Sequence, residues 1–235
     1  MPSGKAATFV LGQAGFTEGE PNRGSGAPSA NSFSSPGGLS SDGSSLAIAD
    51  TGNHRVVIYG SLLASAVDAP AAVLGQATFG AGLPNQGGVT AAGTMSSPTD
   101  VLISSAASVN GSSGVVAVAD TGNNRVLVFE TNSRGSGVGA DVILGQAGPG
   151  GSAAGSTAAG LSGPTGVTIV STGVAVADRG NHRVMVYDNG GALVTGVAGS
   201  VVGQAAAPTS TPNRGGAPAA NSLSGPRDVL SLIHI

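Results

Sequence analysis

The chain contains no cysteine and no tryptophan among its 235 residues. A disulfide framework and any Cys-based metal site are therefore excluded. Aromatic residues make up 3%, too few to build platforms on which bases could stack. Charged residues make up 9%, far below the roughly 25% of an ordinary globular domain. The net charge of −3 gives no basic footprint for nucleic acid or an anionic membrane. No apolar run approaches the roughly 20 residues of a membrane-spanning helix. The short run in MPSGKAATFVLGQ lacks the length and cleavage pattern of a signal peptide. A chain without cysteine suits the cytoplasm and the extracellular side alike; an extracytoplasmic or cell-surface location is the favoured expectation.

What the chain does have is 41 glycines, 13 prolines and 40% apolar residues, so its apolar segments are short and often interrupted. Those segments repeat. LGQ or VGQ ends at Gln13, Gln76, Gln146 and Gln204, at spacings of 63, 70 and 58 residues. SSP or SGP ends at Pro36, Pro98, Pro164 and Pro226. ADTGNHRVVIY at 49–59 returns as ADTGNNRVLVF at 119–129 and ADRGNHRVMVY at 177–187. A linker also repeats: PNRGSGAPSANSFSSP at 21–36 reappears as PNRGGAPAANSLSGP at 212–226. Each unit reads as four short strands, in the first unit about 37–41, 46–50, 55–59 and 71–76. Four-stranded units in series predict an all-β protein of β-propeller type.

If Thr51–His54 form the turn, Asp50 pairs with Arg55 and Ala49 with Val56. Alternation then puts Leu46, Ile48, Asp50, Arg55, Val57 and Tyr59 on one face, with Ala47, Ala49, Val56 and Ile58 on the other. The other two units sort alike. Both faces are apolar, one bulky and one small, so both must be buried, the bulky face of one unit against the small face of its neighbour.

These blocks, each after a strand led by Ser-x-Pro, resemble the NHL repeat, and the VLGQ segments with long Gly/Ser/Pro linkers resemble bacterial NHL-like propellers with enlarged units. The resemblance implies a propeller, usually of six blades around a central channel. It implies no single activity, since the family includes RNA-binding and protein-binding domains as well as lyases. Residues 33–76, 95–146 and 161–204 make three complete units. Residues 6–13 supply a last strand and residues 223–232 a first strand, so the expectation is one propeller unit over 1–235, a fragment with an incomplete ring. The ending SLIHI leaves the repeat pattern.

The candidate residues divide into scaffold and site. Asp50 with Arg55, Asp120 with Arg125, and Asp178 with Arg183 are expected as cross-strand pairs closing the turns, with Gly52 and Asn53 supplying positive φ. The pairs offer too few oxygen ligands for a calcium site. His54 and His182 alternate with Asn124 at one position, so they read as exposed turn residues. His234 lies in the doubtful tail. Asp100, Arg227 and Asp228 follow the Pro of the first strands and put sparse charge near the channel, the candidate ligand residues. The glycine-rich linkers 14–32, 77–94, 147–160 and 205–222 fall on the same face as the turns, where binding loops are usual. RGSGVG at 134–139 is not a phosphate loop, because no helix is expected after it. Asn110-Gly-Ser is an isolated glycosylation match.

The expected function is a non-catalytic binding or interaction scaffold. Its partner would be a protein, small molecule or glycan on the loop-rich face, with no catalytic residue, cofactor, nucleic acid or membrane span. The alternative is a lyase or hydrolase with a divalent cation in the channel of a larger ring.

Overall fold

The computed structural model describes residues 4–60, 69–109, 112–130, 134–170, 173–188 and 196–230. His234, the rest of the tail, and the start of the Asn110-Gly-Ser sequence lie outside them. The fold is all-β. Among the described residues, twelve strands form three four-stranded antiparallel sheets, each a simple meander. The first contains β1 (Pro36–Ser41), β2 (Leu46–Asp50), β3 (Arg55–Tyr59) and β4 (Ala72–Leu74). The second contains β5 (Asp100–Val109), β6 (Ser112–Asp120), β7 (Arg125–Glu130) and β8 (Val142–Leu144). The third contains β9 (Pro164–Val170), β10 (Gly173–Asp178), β11 (Arg183–Asp188) and β12 (Ser200–Val202). Short 3-10 turns are the only helical elements among the described residues, so none of their helices is long and apolar enough to cross a membrane.

The register of the central hairpins follows from the alternation of side chains. Asp50 stands opposite Arg55 and Leu46 opposite Tyr59. Asp120 stands opposite Arg125 and Asp178 opposite Arg183. A slip of one residue would exchange the bulky and small faces and is excluded by both neighbours at once.

Stacking of these faces makes the core. Ala47, Ala49, Val56 and Ile58 of the first sheet meet Val116, Val118, Leu127 and Phe129 of the second. Ala117, Ala119, Val126 and Val128 of the second sheet meet Val174, Val176, Met185 and Tyr187 of the third. The bulky face of the first sheet is covered by Phe33, Leu11 and Phe79. At about 1.5–3 kcal/mol for each buried large side chain, the four bulky residues of one seam contribute at most roughly 6–12 kcal/mol. Apolar burial therefore holds the sheets together, and the ion pairs fix geometry. The first strands of the three sheets, β1, β5 and β9, lie side by side in that order. The Gly38 N–H donates to the Thr99 carbonyl across the first of these contacts, at 2.8 Å.

The segments at 6–13 and 223–230 join no sheet. They nevertheless repeat the packing of complete units. In each LGQ or VGQ the glycine has positive φ and abuts the apolar residue just before the next Ser-x-Pro. A Cβ on Gly12 would lie 2.3 Å from Phe33, and one on Gly203 would lie 2.6 Å from Leu223.

Candidate functional site

Each turn is built on its aspartate. Asp50 Oδ1 accepts the Ser34 N–H at 2.7 Å, while Oδ2 accepts both Asn53 Nδ2 and Arg55 Nε at 2.7 Å. Asp120 takes the Ser96 N–H, Asn123 and Arg125 in the same way. Asp178 takes the Ser162 N–H, Asn181 and Arg183. All three pairs are fully buried. Burial pushes the Asp120 carboxyl upward, and Arg125, the Ser96 N–H and Asn123 oppose it. Burial likewise raises Asp178, against the pull of Asn181, Ser162 and Arg183.

The remaining donors of each guanidinium leave the turn. Arg55 Nη2 donates to the Ser29 and Ser32 carbonyls at 2.9 and 2.8 Å, and Nη1 donates to the Phe79 carbonyl. Arg125 Nη2 holds Ala91 and Thr94 at 2.8 Å while Nη1 holds Pro149 at 2.7 Å. Arg183 holds the Ser156, Thr157 and Gly160 carbonyls before it and Ala207 after it. One side chain thus fastens the linker entering a unit and the linker leaving it. A lysine has too few donors, wrongly arranged, to do this.

Two expectations about the turn need correction. Positive φ falls not on Gly52 or Asn53 but on the next residue: His54 has φ 54°, Asn124 52° and His182 55°. Gly52 is small for another reason, because a Cβ there would lie 2.7 Å from the Ser34 carbonyl oxygen. Asn53 is buried as a donor to Asp50. Nor are the histidines exposed: both are half-buried, and each ring accepts a backbone N–H from the following unit.

The linkers are ordered structure of their own. Pro21–Gly24, Pro84–Gly87 and Pro212–Gly215 share one conformation in which two consecutive residues are left-handed. In the first two, the asparagine pairs amide to amide with the turn asparagine below it. Asn22 exchanges two hydrogen bonds with Asn53 at 3.0 and 2.8 Å, and Asn85 exchanges two with Asn123 at 3.2 and 2.9 Å. The LGQ glutamine closes the other side. Gln76 Nε2 donates to the His54 carbonyl at 3.1 Å and to Leu83 at 2.8 Å. Its Oε1 is buried without a hydrogen-bond partner. The recurring Pro-Asn-Arg/Gln-Gly was the sequence signal for this cap.

Between the first two linkers lies a cavity of about 570 Å³ over the first turn. Asn22, Pro28, Asn53, Gln76, Leu83 and Gln86 contribute to its wall, which contains no charged residue.

The channel candidates are placed differently. Asp100 is half-buried, and its Oδ2 accepts the Val167 N–H at 2.9 Å, bridging β5 to β9. Its Oδ1 occupies the space that a Cβ on Gly38 would fill. Burial raises its pKa, the Val167 and Val101 N–H groups lower it, and Asp228 raises it further. Arg227 and Asp228 are exposed, and Asp228 Oδ1 accepts its neighbour's Val229 N–H at 2.7 Å. Among the described residues no three His, Cys, Asp or Glu side chains gather closely enough to hold a metal ion. Gly135–Gly139 leads into β8, not into a helix. No family model matches the chain, and no curated protein is similar to it.

Proposed function

We propose that the chain is an NHL-type β-propeller segment of three complete units and parts of two others, acting as a binding scaffold. Its ligand is a small, neutral, hydroxyl-rich group, such as a sugar unit of a glycan, held on the turn face between linkers. The observation that carries this reading is the uncharged cavity beside Gln76. Its two walls are fixed in place by Arg55, which binds Ser29 and Ser32 on one side and Phe79 on the other. A preformed concave site costs little ordering on binding. The uncharged polar groups of Asn22, Ser34, Asn53 and Gln86 on the wall suit a ligand carrying hydroxyl groups. No cofactor enters this reading.

The test is a nuclear magnetic resonance titration with a panel of neutral mono- and disaccharides. Binding should shift the amides of Gly52, Gly80 and Gly82. Ala27→Trp, at an exposed position on the cavity wall, should abolish it without altering the fold. Shifts confined to Asp100 and its neighbours, or dependent on an added divalent cation, would favour the lyase or hydrolase alternative. Absence of any response across the panel would remove the glycan assignment.

A further inference from the structure

The last residue of each turn reaches across to the next unit. His54 Nδ1 accepts the Ser97 N–H at 2.9 Å. Asn124 Oδ1 accepts the Gly163 N–H at 2.7 Å. His182 Nδ1 accepts the Gly225 N–H at 2.8 Å. Each donor is the middle residue of a Ser-x-Pro segment and itself has positive φ, at 48°, 52° and 55° in turn. Histidine and asparagine can exchange here because Nδ1 and Oδ1 are both bonded to Cγ, the same distance along the side chain. The two differ in one respect. Asparagine remains an acceptor at any pH near neutrality, whereas an imidazolium has a proton on both nitrogens and accepts nothing.

We infer that the contact between the first and second sheets is a proton-sensitive seam closed by neutral His54, while the contact between the second and third, closed by Asn124, is insensitive to the same proton. Acceptance at Nδ1 requires the tautomer with its hydrogen on Nε2. A proton on Nδ1 would set two donors against each other at 2.9 Å. The charged groups acting on His54 are Asp50 on its own turn and Asp120 on the turn of the neighbouring sheet. Both favour the imidazolium, but burial opposes it and is the larger influence, so the ring titrates below an ordinary histidine. The sign follows. The unfolded ring takes its proton near pH 6.5 and the folded ring at lower pH, so the contribution of the seam is complete above about 6.5. It is lost as the pH falls below that value through the folded pKa.

The experiment is site-resolved amide hydrogen exchange on the full chain between pH 8 and 5, corrected for intrinsic exchange, with ring nitrogen shifts of His54 measured in parallel. The protection of Ser97 should fall roughly five- to tenfold on acidification, the worth of about one hydrogen bond, while Gly163 holds steady. His54→Asn keeps an acceptor that the second unit already uses, and it should make Ser97 insensitive. Asn124→His should transfer the sensitivity to Gly163. Equal loss at Ser97 and Gly163 in the unaltered protein would overturn the inference. So would acid sensitivity of Ser97 that persists in His54→Asn, or a neutral ring carrying its hydrogen on Nδ1.

Discussion

Arg125→Met is the most informative single perturbation. Methionine keeps much of the buried hydrocarbon and removes only the guanidinium. Lost with it are the 2.7 Å contact to Asp120 and donors to the carbonyls of Ala91, Thr94 and Pro149. Asp120 keeps Ser96 and Asn123, but its charge is left fully buried without a counter-ion. Removing one partner of a buried pair costs about 3–5 kcal/mol. That is a large share of a total stability of about 5–15 kcal/mol. For a chain of this size it corresponds to a fall in Tm of roughly 6–20 °C. Urea unfolding monitored by circular dichroism gives the loss, and a double-mutant cycle with Asp120→Ala gives the coupling. The double variant should lose much less than the sum of the single losses, because no unpaired charge remains. Amide exchange of the linkers around 91–94 and 149–153 should quicken in the same variant. A loss below about 1 kcal/mol with unchanged linker exchange would refute the view that this arginine fastens both linkers.

Two further substitutions test smaller points. Tyr187 is fully buried and its hydroxyl has no hydrogen-bond partner, while Phe129 fills the equivalent place in the second unit. Tyr187→Phe should therefore be neutral or stabilise by up to about 1–3 kcal/mol in thermal unfolding, by relieving an unsatisfied group. Asp100 has a pKa raised by burial and by Asp228, so ionisation disfavours the folded state. This penalty grows as the pH rises from the unfolded value of about 3.9 through the folded one. Asp100→Asn should be at least as stable as the parent at pH 7 in urea titrations, and its advantage should shrink at acid pH.

The hairpins were the legible part of the fold. Ala47, Ala49, Val56 and Ile58 opposite a bulky set admit one register, since a shift would bury the wrong volume on both sides. The repeat also revealed the stacking of bulky on small faces. The turn glycine was harder to read. Gly52 looks like a residue chosen for positive φ, but it is chosen for the approach of Ser34, and sequence does not distinguish these two uses. Left-handed backbone at His54, uncommon for a residue with a side chain though less so for His and Asn, comes with its ring's contact to Ser97 on the far side. The linkers hid their order in their composition. Glycine, alanine and serine suggest bland cover, yet the order comes from side chains far along the chain, such as Arg55 and Asn53. The cavity is likewise a product of two linkers, and no local pattern marks it.

Amide exchange at Ser34, Ser96 and Ser162 tests the central claim most directly. Each of these N–H groups lies two residues beyond the end of a linker, and each is bound to a turn aspartate at 2.7 Å. If the repeated charged turn fastens linkers to sheets, all three should exchange as slowly as the strand amides of Val57, Leu127 and Met185. Exchange at the rate of an open glycine-rich loop would contradict the account.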